Sequence, residues 1–198
     1  MPKIIDHDQR RQEIAKQVNS IISEKGIENT TVRAICRRAG FSSGVLAHYF
    51  ENREAMFIFV FEWHMSRTQE RLESVLDLET KNDYERLQHT VQMLLPGCLS
   101  EPDKEEIVFP AGLWTFMQSE QHLKELLINS YEPILSLLKK ILIHINIPSQ
   151  QAEYKAALLQ ATLDGIWIHY DAGLVSQDKI ANMTQDIVAS VMTGNKEK

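Results

Sequence analysis

Thr30 to Arg53, TTVRAICRRAGFSSGVLAHYFENR, decides the fold of this chain. Val32, Ile35, Cys36 and Ala39 fall at i, i+3, i+4 and i+7, which predicts an apolar stripe along a short helix. Thr30 or Thr31 can cap that helix, because a hydroxyl ahead of an apolar period satisfies orphan backbone N–H groups. Gly40 supplies the positive φ that a sharp reversal requires. Phe41 fills the angle between two helices, and Ser42 or Ser43 caps the next. That second helix, Ser43 to Tyr49, starts with small polar residues and ends with aromatic ones. A helix-turn-helix needs this gradient: small groups where the helix meets base edges, bulk where it packs on its own domain.

Position within the segment predicts roles at a DNA surface. Ser42, Ser43 and Gly44 sit at the start of the recognition helix, where N–H groups and hydroxyls take phosphates or base edges. Ala47 is the expected apolar contact to a thymine methyl. Thr31, His48, Tyr49 and Arg53 suit phosphate anchoring, and Arg33 suits either backbone or a base. Phe50 is core, and Tyr49 either packs or meets phosphate.

The chain of 198 residues carries a net charge of −6, which argues against a generally basic nucleic-acid binder. The charge is uneven, however. Residues 1–53 hold nine Lys/Arg against six Asp/Glu, while residues 54–198 hold twelve against twenty-one. Phosphate contacts need positive charge only at the reading head. The polar start MPKIIDHDQRR lacks the apolar run of a secretion signal, and the longest apolar run, Ala55 to Phe61, is far short of a membrane span. Cys36 and Cys98 make no metal or disulfide pattern. These features predict a cytoplasmic protein without cofactor or metal. Enzymatic readings have no support, since the seven histidines are scattered and neither a phosphate-cradling glycine loop nor a nucleophile elbow is present.

Nearly everything else reads as helix, giving an all-α chain of about nine helices. A DNA-binding domain of three helices covers 1–53, and a helical effector-binding and dimerisation domain covers 54–198. The first helix ends at Gly26, and Asn52 can cap a long fourth helix reaching about Leu78. A sixth is expected from about Lys104 to Ser119, kinked or divided by Pro110. Ala157, Ala161 and Gly165 form an i, i+4, i+8 row of small residues that admits a close neighbouring helix. With Ile168, and with Ile187 and Val191 on the last helix, the row suits either a two-fold four-helix interface or a crossing within one subunit. Trp63, Trp114, Met117 and Trp167 are candidate effector contacts or ordinary core. Asp164 lies in an apolar helix, where an ionised carboxylate is costly unless paired. Carboxylate plus indole suits a quaternary ammonium ligand. A cation partner or a helix-capping role for Asp164 is the alternative.

The motifs T-T-V-R-x-I (Thr30 to Ile35), A-G-F-S-S-G-x-L (Ala39 to Leu46) and H-Y-F-x-x-R (His48 to Arg53) resemble the tetracycline-repressor (TetR) family of bacterial transcription regulators. Ala47 stands where that family often has an aromatic residue, and Cys36 where it usually has alanine. FPAGLWTFMQSEQHLKELL and LDGIWIHYDAG are similar to the C-terminal domain of the BetI-type branch, repressors of choline-to-betaine genes. The resemblance implies a homodimer whose C-terminal helix pair forms the dimer. It further implies an inverted-repeat operator in double-stranded DNA and release by a small-molecule effector, choline or another cationic or apolar metabolite. The other reading is a helical ligand-binding or adaptor protein whose helix-turn-helix contacts protein.

Overall fold

A computed structural model describes residues 7–80, 82–96 and 109–193. Within them lie nine helices and no strand: α1 His7–Lys25, α2 Val32–Ala39, α3 Ser43–Tyr49, α4 Arg53–Leu76, α5 Asp83–Leu94, α6 Ala111–Met117, α7 Gln121–His144, α8 Ser149–Asp171 and α9 Gln177–Thr193. The chain divides into two compact units, Met1–His64 with Glu105–Leu127, and Met65–Lys104 with Ile128–Lys198. α4 and α7 each run from one unit into the other. The compact packing of the first unit extends to His64 and takes in the α6 segment.

In the first unit, the period of α1 buries Ile14, Val18, Ile21 and Ile22 on one side. Gly26, at φ 78°, ends that helix with its N–H on the Ile22 carbonyl. α6 approaches α1 closely, since a Cβ on Gly112 would lie 3.6 Å from Ile27 and 3.8 Å from Ile22. Edge-to-face rings hold α4 to the α6 segment, with Phe57 and Phe116 5.2 Å apart and Phe61 and Phe109 6.0 Å apart. His64 is buried, with its Nε2 3.0 Å from the Asn19 side-chain oxygen.

The second unit is built around Leu72, Val75, Leu87, Val91, Leu138 and Ile141, with Ala156, Leu159 and Leu163 from α8 and Ile180 and Val188 from α9. Asn82 caps α5 by accepting from the backbone of Tyr84 and Glu85. The buried Arg86 closes the end of α4: its guanidinium donates to the carbonyls of Val75, Leu76, Leu78 and Thr80. One side chain thus satisfies the orphan carbonyls that a helix C-terminus leaves.

Pro110 is the N-cap residue of α6, which begins at Ala111, as a division of the expected helix at that proline requires. The stretch from 104 to 108 lies outside the described residues, as do Cys98 and the first six residues. The α2 stripe is narrower than its spacing suggests. Ile35 is fully buried, but Val32 is 40 % exposed, because the neighbouring elements cover only one side of so short a helix.

Candidate nucleic-acid interface

The turn between α2 and α3 is assembled from the residues its sequence singles out. Thr31 caps α2 by accepting from the Ala34 N–H at 3.2 Å, and Thr30 donates back to the Gly26 carbonyl at 2.9 Å. Gly40 adopts φ 70°, the left-handed turn that releases the chain from α2. Ser42 caps α3 by accepting from Val45 N–H at 3.3 Å. Leu46 and Phe50 are buried and anchor α3 from one side. On the opposite side Ser43, Gly44, Ala47 and His48 are all exposed, as two i, i+4 pairs. A Cβ on Gly44 would meet nothing closer than Ser42 Oγ at 3.8 Å, so no internal packing demands glycine there. The short exposed side chains leave the helix backbone open to an incoming surface.

The aromatic end of α3 behaves differently. His48 and Tyr49 meet edge-on and both make tilted ring contacts with His7, with ring centroids 5.1 to 5.4 Å apart, which ties α3 to the start of α1. Arg53, expected at phosphate, is engaged internally. Its guanidinium donates to the Ile27 carbonyl and lies 4.9 Å from the Phe57 ring. A cation so held braces the loop before α2, a role that spacing within the motif cannot reveal because Ile27 is twenty-six residues away.

Two adjacent arginines on α2 diverge. Arg38 turns to α1, where it grips both oxygens of Glu24 at 2.6 Å and donates to Ser20 Oγ at 2.7 Å. That contact holds the Glu24 carboxyl below its ordinary range. Arg37 instead turns outward with Arg33 and helps line an open hollow of about 550 Å³ with Lys25, Asn29, Thr31 and Ala34. Lys25 and Arg37 were not read from the sequence as functional. The available signal was the i, i+4 spacing of Arg33 and Arg37, both opposite the buried Ile35.

The candidate effector residues divide between the units. Trp63 and Met117 are buried in the first unit, and Trp114 there is half-buried with an indole N–H that has no partner among the described residues. Asp164 and Trp167 lie three residues apart on α8 in the second. Asp164 accepts from Gln160 Nε2 at 2.8 Å and from the Tyr131 hydroxyl at 3.3 Å, and no cation lies on it among the described residues. Burial pushes its pKa up to about 6. The Trp167 N–H donates to the Leu94 carbonyl at 2.7 Å, so this indole also serves the fold. Of the residues expected at a dimer face, Ala157, Ala161 and Ile168 are exposed and Gly165 has open space where a Cβ would stand. Val191 is buried in the core of the second unit and Ile187 packs against it, so neither side chain is offered outward in full.

Residues 19–59 match the family described as bacterial regulatory proteins, tetR family. The regulator PksA of Bacillus subtilis (strain 168) is 27% identical over 199 residues, covering 96% of this chain and 94% of that protein. The regulator BetI of Escherichia coli O17:K52:H18 is 26% identical over 170 residues, 85% of each. The fold is shared with a transcriptional regulator from Rhodococcus sp. Rha1, at TM-score 0.77 and 24% identity over 93% of this chain and 96% of that one. It is shared too with a regulator from Saccharomonospora viridis in complex with choline, at TM-score 0.75 and 18% identity over 92% and 96%. No helix among the described residues is long and apolar enough to cross a membrane. Given a helix-turn-helix whose outer face is bare and a family match across it, the chain is a TetR-family transcriptional regulator and not an enzyme.

Proposed function

We propose that this regulator is a homodimeric repressor that places α3 of each subunit in successive major grooves of an inverted repeat and is released by a small-molecule effector. The observation that carries the reading is the outward quartet Ser43, Gly44, Ala47 and His48, mounted on a helix whose other side is buried. Ser42, Ser43 and Gly44 meet phosphate or base edges, and Ala47 meets a thymine methyl. The α8 row of Ala157, Ala161 and Gly165, beside Leu158 and Ile168 at 53 % and 40 % exposure, supports dimerisation about a two-fold axis. Residues 54–198 then serve as the effector-binding and dimerisation domain.

Asp164 is the polar anchor for a cationic effector in the second unit, with the Trp167 ring nearby on α8. A carboxyl held by two neutral donors and no cation gains a counter-charge when such a ligand binds. The choline complex of the Saccharomonospora viridis regulator and the likeness to BetI lend support to a quaternary ammonium. Coupling is reciprocal, so operator DNA weakens effector binding by the factor with which the effector weakens DNA.

Selection of binding sites from a random duplex pool at moderate salt tests the core of this reading. Enrichment of an inverted repeat is expected, and a folded protein that enriches nothing would contradict it. The Ala161→Glu variant should sediment as a monomer, and an unchanged mass would remove α8 from the dimer face. A thermal shift with choline larger than with its uncharged carbon isostere is expected for the effector site; equal shifts would exclude a cation anchor.

A further inference from the structure

We infer that Asp164 and Gln160, one turn apart on α8, select an effector whose cationic head carries N–H donors, a protonated amine, over one whose nitrogen is fully methylated. The inference rests on the cation anchor proposed above and names the chemistry of the head that the anchor takes.

Two acceptors in this part of the second unit have no donor among the described residues. Gln160 Nε2 and the Tyr131 hydroxyl both donate to the same carboxylate oxygen, Oδ1 of Asp164. Oδ2 accepts from neither of them and from no other described residue. Gln160 Oε1 is a buried atom and likewise lacks a donor. Its orientation follows from chemistry: an ionised carboxylate only accepts, so the amide turns its NH2 toward Asp164 and its oxygen away. The Tyr131 hydroxyl has given its one proton to Asp164, and the Trp167 N–H is given to Leu94. Neither can serve Gln160.

A buried acceptor without a donor is costly, and a ligand that brings the missing proton removes that cost. The nitrogen of a quaternary ammonium meets the charge of Asp164 but has no N–H, so it leaves Oε1 unserved. A protonated primary amine carries the same charge and three N–H groups, enough for Oδ2 and Oε1 together. Trp167 lies on the same side of α8, at i+7 from Gln160, and an indole face attracts either kind of head. Discrimination therefore falls to Gln160. Where the fold uses a buried polar group for itself it satisfies it, as Arg86 is satisfied at the end of α4. Gln160 departs from that pattern, beside a carboxylate that has no cation on it among the described residues.

Three probes on one hexyl chain separate charge from donors. Hexylammonium has both, hexyltrimethylammonium has only the charge, and hexanamide has only the donors. Calorimetric titration of the full chain near pH 7.5, above the Asp164 pKa of about 6, should give hexylammonium the lowest Kd. Its margin over hexyltrimethylammonium should be about tenfold, as for one hydrogen bond to a charged group. Gln160→Met should bring the two ammonium probes to within about twofold of each other, by weakening hexylammonium alone. Asp164→Asn keeps a neutral acceptor and should weaken both ammonium probes while sparing hexanamide.

Hexyltrimethylammonium binding the wild type as tightly as hexylammonium would overturn the inference and leave the cation anchor in place. An unchanged ratio in a folded Gln160→Met would overturn it too, since the discrimination would then be steric. If Gln160→Met does not fold, the wild-type ratio decides alone. Ammonium probes that bind no better than hexanamide would overturn the anchor and the inference together.

Discussion

The outer face of α2 and α3 and the interior of the second unit treat the same side-chain chemistry in opposite ways. In the interior, Arg86 is buried with its nitrogens on four backbone carbonyls at the end of α4, and the Trp167 indole is spent on the Leu94 carbonyl. On the outer face, Arg33 and Arg37 are exposed and without partners among the described residues, and the start of α3 is bare. Partnership, more than residue type, separates a group that holds the fold from one left open to solvent. Arg38 and Arg53 make the point within the first unit, since both lie inside the DNA-reading motif and both are committed internally. Asp164 is the intermediate case, half-buried and bonded to the neutral donors Gln160 and Tyr131.

The contrast can be broken most severely at Arg86. Arg86→Met removes the guanidinium from the end of α4 and leaves only the Leu78 and Thr80 N–H groups on the Val75 and Leu78 carbonyls, which should cost about 3–5 kcal/mol in urea unfolding. A loss below about 1 kcal/mol would mean that water or neighbouring N–H groups replace it, and the buried arginine would not be the fastening it is taken to be.

Ala47→Glu probes the other side of the comparison. It sets a carboxylate on the exposed face of α3, so operator affinity should fall by about a hundredfold, because like charges brought together cost several kcal/mol. Stability should stay within about 0.5 kcal/mol, as for other exposed positions. Retained affinity would show that this face of α3 does not meet DNA.

Asp164→Asn sharpens the intermediate case and has the smallest effect. The folded pKa of about 6 lies above the usual unfolded value of about 3.9, so the native state holds the proton more tightly. The stability contribution of Asp164 is therefore fully present below about pH 4 and is lost as pH rises through about 6. Asparagine keeps an acceptor for Gln160 and Tyr131 and carries no charge. The variant should match the wild type near pH 4 and exceed it by about 1–2 kcal/mol at pH 7.5, read from denaturation at both pH values. Equal stability at pH 7.5 would mean that the ionised carboxylate is compensated by a cation or by solvent.

Much of the reading head is legible along the chain because its determinants are local. A capping hydroxyl acts on N–H groups two or three residues on, and a positive φ concerns one residue. Thr31, Gly40 and Ser42 therefore do what their neighbours predict. Long-range pairings carry no such signature. Nothing in the spacing around Arg53 points to Ile27, nor around Arg86 to the end of α4, nor around Asp164 to Tyr131 on another helix.

By itself, the sequence determined the helices, the turn into α3, the family and the residues at the start of the recognition helix, because these follow from periodicity, capping and backbone freedom within a few residues. Only the tertiary structure decided that Arg38, Arg53 and Arg86 are spent on the fold. It also decided that Val191 faces the core while Ala157 and Ala161 face outward, and that Asp164 is bonded to the neutral donors Gln160 and Tyr131. Those outcomes depend on which surfaces meet across large separations in the chain, and burial and partnership exist only once they have met.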